Sequence, residues 1–287
     1  MSQRKFLTIF IYTLLILFVG RNLTFFPTWQ GLSNEKDFSE ILKSQTQEIL
    51  ADKKGSFSVY YKNLNRDESF EIDSQTIHKA ASVNKVPIII ALYKEAEEGN
   101  LELEEQITIQ EVDIQDYGTG TIRYQKPGQT YSLRSLAKLA LKQSDNTAAH
   151  VLKNKVGEGI IQDTTNSLGL TQTSIVENTT SAKDMGILFE KLYKGELLSS
   201  GNTTEVLSFM RDTDIEDRLP KNLNGATVYH KTGDEVGIVH DVGIIEKDNS
   251  VFFIAVMASD VGGQENEAKN IISQIAEKLT DYISEHS

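Results

Sequence analysis

Ser82 and Lys85 have the residue types and the spacing of a nucleophile and its base, in the stretch KAASVNKVPIII. In a helix this spacing puts both side chains on one face, where the amine can take the hydroxyl proton. Pro87 is tolerated only near a helix start, so the helix must begin close to Ser82. The tetrapeptide alone is weak evidence, because Ser-x-x-Lys recurs at other positions: Ser2/Lys5, Ser33/Lys36 and Ser135/Lys138.

The surroundings of Ser82 favour a chemical role. A lysine serves as a base only where burial or positive neighbours lower its pKa, and the apolar run from Val86 to Ile90 favours burial of Lys85. The helix start also places the Ser82 hydroxyl at the positive end of the helix dipole. The competing interpretation is structural, since serine is a common helix cap.

Two further polar motifs each occur once in the chain, Ser144-Asp145-Asn146 and Lys231-Thr232-Gly233. In isolation the first reads as a polar turn between helices and the second as the end of a strand. Together with Ser82 and Lys85 they form the ordered series Ser-x-x-Lys, Ser-Asp-Asn, Lys-Thr-Gly, which is the signature of class A β-lactamases and penicillin-binding proteins. The ordered series is specific, although each member alone is weak.

From about Asp37 to its C-terminus the chain resembles a class A β-lactamase-like serine hydrolase of the penicillin-recognising superfamily. The resemblance implies that Ser82 attacks an amide or lactam carbonyl, with Lys85 as general base. Ser144 would then relay a proton to the leaving nitrogen. It implies chemistry that needs no metal or organic cofactor.

The same resemblance assigns the substrate contacts. Asn146 would bind Lys85 and the substrate amide, while Lys231 and Thr232 would hold a substrate carboxylate. The backbone amides of Ser82 and Asp234 would form the oxyanion hole.

The chain departs from the family pattern at three places. The family's hydrolytic members carry a long loop with a Glu that activates water, whereas residues 170–178 read only LTQTSIVEN, with Glu177 as the sole carboxylate. Asp234 follows Lys-Thr-Gly where a small or hydroxylated residue is usual, and Val239 stands where many members have an Arg. One negative charge gained and one positive charge lost are expected to weaken carboxylate binding.

Composition excludes several other classes of function. A net charge of −12 argues against a nucleic-acid partner, and the absence of cysteine excludes disulfides, thiolate metal sites and a cysteine nucleophile. His230 and His240 flank the Lys-Thr-Gly motif and are expected to face each other on neighbouring strands. Without a third ligand nearby, structural histidines are favoured over a metal site.

The N-terminus predicts an exported domain. Arg4 and Lys5 precede a charge-free run over residues 6–20, so residues 1–21 are expected to form an uncleaved signal anchor, with residues 22–36 as linker. The positive flank keeps that end in the cytoplasm and places the catalytic domain outside a single-pass cell-membrane anchor. Secretion after signal cleavage is the alternative. The sequence carries no signal for an oligomeric state.

The order of predicted elements gives the fold class. A helix from Asp37, a hairpin turning at 63–67, four helical segments, three β-rich runs and a C-terminal helix predict an α/β (α+β) fold. Its antiparallel five-stranded sheet is flanked by terminal helices and carries an inserted all-helical lobe. The sheet lobe is expected at about 37–95 and 215–287, and the helical lobe at about 96–214.

The sequence therefore predicts a serine acyl-transfer hydrolase that acts through an acyl-Ser82 intermediate on a cell-envelope peptide or a β-lactam. A true class A β-lactamase that hydrolyses penicillins is the alternative. A non-catalytic penicillin-sensing domain is a third interpretation, although binding alone does not require the base Lys85.

Overall fold

The computed structural model describes residues 32–286. By its contacts the chain divides into residues 1–38 and residues 39–287, and the architecture below is that of the second unit. The predicted anchor lies outside the described residues, and within 32–286 no helix is long and apolar enough to cross a membrane. The first helix begins at Leu32, so residues 32–36, expected as linker, are helical.

The described part of the chain contains eight α-helices, numbered here in chain order. They are α1 (Leu32–Leu50), α2 (Lys85–Glu97), α3 (Leu133–Lys142), α4 (Asn146–Val156), α5 (Glu158–Ser167), α6 (Ala182–Tyr193), α7 (Ser200–Phe209) and α8 (Glu265–Glu285). The four helical segments predicted from the sequence, 86–98, 133–142, 147–156 and 182–193, match α2, α3, α4 and α6 to within one residue at each end. Helices α5 and α7 were not predicted. Those two helices are rich in Gly, Ser, Thr and Asn, whose helix propensity is low, and they are held by buried contacts such as those of Ile161 and Val206.

Within residues 32–286, nine strands form one large sheet and two small ones. They are β1 (Ser56–Asn63), β2 (Ser69–Ile72), β3 (His78–Lys79), β4 (Gln106–Thr108), β5 (Thr130–Ser132), β6 (Thr179–Thr180), β7 (Thr227–Glu235), β8 (Ile238–Lys247) and β9 (Ser250–Ser259). The large sheet has the order β2-β1-β9-β8-β7, with every neighbouring pair antiparallel. The predicted five-stranded antiparallel sheet with helices is confirmed.

Both faces of the large sheet are covered. Residues 252–258 of β9 are all buried, and successive strand residues point to opposite faces. Helix α8 packs against β8 and β9, and α6 packs against β1 and β9. The Phe189 ring of α6 lies 5.4 Å from the Phe253 ring of β9, measured between centroids.

Helix α2 runs through the core of this unit. Every residue from Lys85 to Tyr93 is buried, which is typical of a helix enclosed on all sides. Helix α2 packs against α4 and α5, and the turn before it packs against β7. The turn that carries the predicted nucleophile Ser82 and the first residue of α2, the predicted base Lys85, are therefore fixed between the helices and the sheet.

Candidate active site

Ser82 lies in a 3₁₀ turn, Ala81–Asn84, that leads directly into α2. Asn84 occupies the N-cap position of α2, so Ser82 is not the cap of this helix. Ala81 adopts a left-handed backbone (φ 48°), a conformation uncommon outside glycine. The turn faces a cleft of about 420 Å³, and Ser82 forms part of its lining.

Gly233 explains how strand β7 reaches the nucleophile turn. A Cβ atom at this position would lie 2.9 Å from Ala80 O and 3.1 Å from Val83 Cγ2, closer than ordinary contact. Only glycine therefore lets the strand lie against the turn without displacement. The close approach brings Lys231 and Asp234, which flank Gly233, to the site.

The Ser144-Asp145-Asn146 motif forms the connection between α3 and α4. Ser144 is left-handed (φ 55°), and Asp145 caps α4 by accepting a hydrogen bond from Ala148 N at 2.9 Å. Asp145 also accepts from Ile122 N at 2.9 Å, and Thr119 Oγ1 donates to Ser144 O at 2.8 Å. The loop around residues 117–122 thus holds the motif from outside, and backbone strain of this kind is common at functional sites.

Lys85 places its amine at the centre of these elements. Its Nζ donates to Ser144 O at 2.5 Å, to Asn146 Oδ1 at 2.7 Å and to Ser144 Oγ at 3.1 Å. Burial, followed by the positive charge of Lys231, holds the pKa of Lys85 well below its usual range. Both conditions that a lysine base requires are therefore present.

Ser144 Oγ bridges two amines. Besides the contact with Lys85, it accepts from Lys231 Nζ at 2.9 Å, and Lys231 also donates to Thr232 O at 3.0 Å. Burial lowers the pKa of Lys231 to about 7, against the opposing effect of nearby carboxylates. The hydroxyl between two amines with lowered pKa values is well placed to pass a proton.

Five of the seven predicted site residues line the cleft: Ser82, Lys85, Ser144, Asn146 and Asp234. Lys231 and Thr232 are 2% and 3% exposed and lie behind the cleft wall, where Lys231 reaches the site through Ser144. The cleft is also lined by Tyr117 and Asn178, which the sequence analysis did not identify. The glycines at 118 and 120 were the available signal for a functional turn beside Tyr117.

Arg218 is the most important charged residue that the sequence analysis missed. Its side chain is fully buried and donates to Asp234 Oδ2 at 3.0 Å, to His240 O at 3.0 Å and to Asp217 Oδ1 at 2.8 Å. The negative charge that the chain gains at Asp234 is therefore paired with a buried positive charge. Val239 lies opposite Asp234 in the β7–β8 register and is buried, so the nearby positive charge comes from Arg218 instead.

The prediction that His230 and His240 face each other is wrong. The β7–β8 register pairs neither with the other. His230 contacts Asp241 at 2.8 Å and Glu216 at 3.1 Å; burial opposes its charge, but these carboxylates raise its pKa to about 9. His240 Nε2 donates to Lys79 O at 2.8 Å, and burial lowers its pKa to about 4. Both are structural histidines in separate polar networks.

The segment between α5 and β6 is short and closes beside the nucleophile turn. Ser174 and Thr179 exchange backbone hydrogen bonds across a tight turn, and Asn178 O accepts from Ala80 N at 2.8 Å. The carbonyl of Glu177, on this turn, accepts from Lys79 Nζ at 2.9 Å. The carboxylates that line the cleft in the described structure are those of Asp234 and Glu235, and Glu177 is not among the lining residues.

Comparisons with known proteins agree with this geometry. The model of the "Beta-lactamase enzyme family" matches residues 41–283. The chain is 25% identical over 271 residues to beta-lactamase VEB-1 of Pseudomonas aeruginosa, covering 84% of this chain and 90% of that protein.

Solved structures give the same result. The structure of PBP-A superposes with a TM-score of 0.80 at 29% identity, over 85% of this chain and 96% of that one. A Leu-to-Glu mutant of PBP-A, solved as an acyl-enzyme complex with penicillin G, gives a TM-score of 0.80 at 28% identity. The match covers 86% of this chain and 97% of that one. The family match and the fold together show that the chain belongs to the class A beta-lactamase family and is a serine hydrolase of that family.

Proposed function

We propose that Ser82 is the nucleophile of an acyl-transfer reaction at an amide or lactam carbonyl, with Lys85 as its general base. The observation that carries this proposal is the buried amine of Lys85, held by Ser144 and Asn146 one helical turn from Ser82. As Ser82 Oγ bonds to the carbonyl carbon, Lys85 takes the hydroxyl proton. The carbon–nitrogen bond then breaks and leaves an acyl-Ser82 ester.

Ser144 completes the proton transfer in this proposal. Its hydroxyl contacts both Lys85 Nζ and Lys231 Nζ, so it can receive a proton from Lys85 and donate one to the leaving nitrogen. Its backbone is left-handed (φ 55°), and its hydroxyl lies between the two amines. Lys231 keeps the pKa of Lys85 low through charge repulsion and is the positive group closest to the relay.

The remaining site residues position the substrate. The backbone amides of Ser82 and Asp234, both in the cleft lining, would stabilise the oxyanion. Asn146 uses its oxygen for Lys85 and one amide hydrogen for Tyr117 O, which leaves a second hydrogen for a substrate carbonyl. A substrate carboxylate would approach Lys231 and Thr232 beside Ser144, the lining residue that Lys231 contacts.

We propose that penicillins acylate Ser82 and that the acyl group is released slowly. We further propose that the physiological substrate is a cell-envelope peptide. Release of the acyl group by water needs a base, and the lining carboxylates are poorly suited to that task. Asp234 is held by Arg218, and Glu235 is exposed at the rim of the cleft. The acyl-enzyme complex of the PBP-A mutant supports acylation by a β-lactam.

Intact-protein mass after a penicillin pulse tests this function. The expected result is a stoichiometric mass gain that persists while little free penicillin is consumed. A segment carrying a glutamate, inserted between Gly169 and Thr179, is expected to shorten the lifetime of the adduct. Rapid multiple turnover by the unmodified chain would assign a true β-lactamase instead, as the name of the VEB-1 relative suggests. Binding without any mass gain would assign the non-catalytic sensor.

The membrane anchor remains a proposal that rests on the sequence. Arg4, Lys5 and the charge-free run after them favour retention in the membrane with the catalytic domain outside. Fractionation of cells that express the full chain should recover it with membranes, cleavable by added protease from the outer side. Recovery of a soluble secreted form beginning near Arg21 would contradict the anchor.

A further inference from the structure

A second depression of about 180 Å³, here called the side groove, opens from the catalytic cleft. The two share five lining residues: Ala81, Lys85, Tyr117, Asn146 and Asn178. From there the side groove continues along α4 past Ala149, His150 and Lys153, with Asn84, Ile88 and Gln115 also in its lining. A molecule bound across Lys85 can therefore extend without interruption into the groove.

The position of the side groove indicates which part of a substrate it receives. It is lined by Asn146, the residue assigned to the substrate amide, and by none of Lys231, Thr232 and Asp234, which belong to the leaving-group side. The groove thus lies on the acyl side of the scissile bond. Whatever occupies it stays attached to Ser82 after the amine leaves.

The chemistry of the lining indicates the occupant. Within the described residues no carboxylate lines the side groove, whereas four carboxamides do: Asn84, Gln115, Asn146 and Asn178. The groove is also lined by His150 and by Lys153, whose amine pairs with the half-exposed Glu158 at 2.7 Å. Carboxamides pair with peptide groups, and a lysine favours a carboxylate.

Asn178 stands where the cleft and the groove meet. Asn84 Nδ2 donates to Asn178 Oδ1 at 2.9 Å and to Ser174 O at 3.4 Å, and because a carbonyl only accepts, these contacts orient the two carboxamides. In this orientation Asn84 Oδ1 is buried without a partner among the described residues. Within residues 32–286 Asn178 Nδ2 has no hydrogen-bond acceptor, so it is available to a bound molecule. The left-handed backbone of Asn178 (φ 48°) and its bond to Ala80 N hold the side chain beside the nucleophile turn.

We propose that the side groove is an acyl-side subsite for an extended peptide that carries a carboxylate near its amino-terminal end, and that Asn178 is a specificity-determining donor within it. The inference rests on the proposed function, because it needs an acyl-Ser82 product. Asn178 Nδ2 donates to a carbonyl of the peptide, and Lys153 attracts the carboxylate at the amino-terminal end of the acyl part. The substrate class is thus an acidic peptide whose acyl part is longer than a single residue.

Three penicillins that differ only in the side chain on the same nucleus test this inference. The side chains are acetyl, acetyl-Gly-Gly and succinyl-Gly-Gly, and the readout is the second-order rate of adduct formation by intact mass. A well-placed hydrogen bond accelerates capture by about threefold to tenfold, and the charge adds a similar factor. The expected order is succinyl-Gly-Gly fastest and acetyl slowest, with a total preference of at least about tenfold.

Variants at Asn178 and Lys153 test which residues cause the preference for the longer side chains. In N178D the carboxylate still accepts from Asn84 and tolerates the left-handed backbone but cannot donate, so the preference for acetyl-Gly-Gly over acetyl should fall below about twofold. The matched control N224D adds the same charge on the exposed turn before β7 and should keep the wild-type ratios. In K153Q the preference for succinyl over acetyl on the Gly-Gly chain should disappear.

The outcomes separate this inference from the proposed function. Equal labelling of Ser82 by all three penicillins in the wild type would overturn the subsite and leave the nucleophile intact. Ratios unchanged in both N178D and K153Q would overturn the roles given to those residues. Absence of any adduct would overturn the proposed function, and the subsite with it.

Discussion

Replacement of the buried Arg218 by methionine tests how the charge of Asp234 is controlled. Arg218 is 0% exposed and donates to two carboxylates and one backbone carbonyl, while Asp234 and Asp217 have 44% and 43% of their side chains exposed. Removal of one partner of a buried ion pair typically costs about 3–5 kcal/mol. Because water can rehydrate both carboxylates, we expect a loss at the low end, about 3 kcal/mol of unfolding free energy.

The same substitution exposes the cleft to the charge of Asp234. Two like charges about 8 Å apart interact by about 2 kcal/mol at an effective dielectric constant of 20. Exposure of Asp234 to solvent should halve this value to about 1 kcal/mol, which corresponds to roughly fivefold slower capture of an anionic penicillin. A neutral ester of the same penicillin should be captured at an unchanged relative rate, since it carries no carboxylate.

The double variant R218M/D234N separates this charge effect from direct binding by Arg218. Urea unfolding measures stability, and the rate of adduct formation measures capture. With Asp234 neutralised, capture of the anionic penicillin should return to within about twofold of the wild type, while most of the stability loss persists because the bond to His240 O is still missing. Capture that stays slow in the double variant would refute the reasoning and would indicate that Arg218 itself contacts the substrate.

Three further predictions concern the lysines, a histidine and a glycine. K231M removes the positive charge that lowers the pKa of Lys85, so the acidic limb of the pH–rate profile of adduct formation should move to higher pH; a limb that stays in place would contradict the coupling. Burial opposes the charge of His230, but carboxylates raise its pKa from 6.5 to about 9, so its stabilising contribution is complete below pH 6.5 and is lost as the pH rises through 9. Urea titrations should therefore show that H230Q has a lower unfolding free energy than the wild type, and that this difference shrinks by at most about 3 kcal/mol between pH 6.5 and 9. A difference that does not change with pH would exclude a positive charge on His230. A Cβ at Gly120 (φ 109°) would lie 2.2 Å from a carboxylate oxygen of Asp145. G120A should therefore lose at least about 2 kcal/mol of unfolding free energy and form the adduct more slowly. The control G128A has a similar left-handed backbone (φ 97°) but open space around it, so it should lose only about 1 kcal/mol for the backbone strain.

The sequence was sufficient for the parts of the site that short motifs carry. Ser82 lies in the turn that leads into α2 and Lys85 is the first residue of that helix, and the proline position and apolar flanks were enough to predict this helix start. The hairpin and the three long strands were predicted from alternation and turns, and they fixed the fold class. Helices α5 and α7 were missed because their polar sequences are helical only through tertiary packing.

The rest of the site depends on contacts that sequence spacing does not encode. Arg218 reaches Asp234 and a carbonyl of β8 that lie 16 and 22 positions away, with no motif to mark the contact. The prediction that His230 and His240 face each other was wrong because the tight turn after Glu235 sets the β7–β8 register, and this register keeps the two histidines apart. Asn178 was missed because its role follows from a left-handed turn and from the shape of the groove.

Peptide mapping of the penicillin adduct tests the central claim most directly. After a pulse with penicillin and proteolysis, the added mass should be found on the peptide that contains Ser82 and on no other serine, including those of the other Ser-x-x-Lys tetrapeptides. The S82A variant should acquire no adduct, and K85A should acquire it at least about a hundredfold more slowly, because general-base assistance is lost. An adduct on a different serine, or undiminished labelling of S82A, would contradict the assignment of Ser82 as the nucleophile.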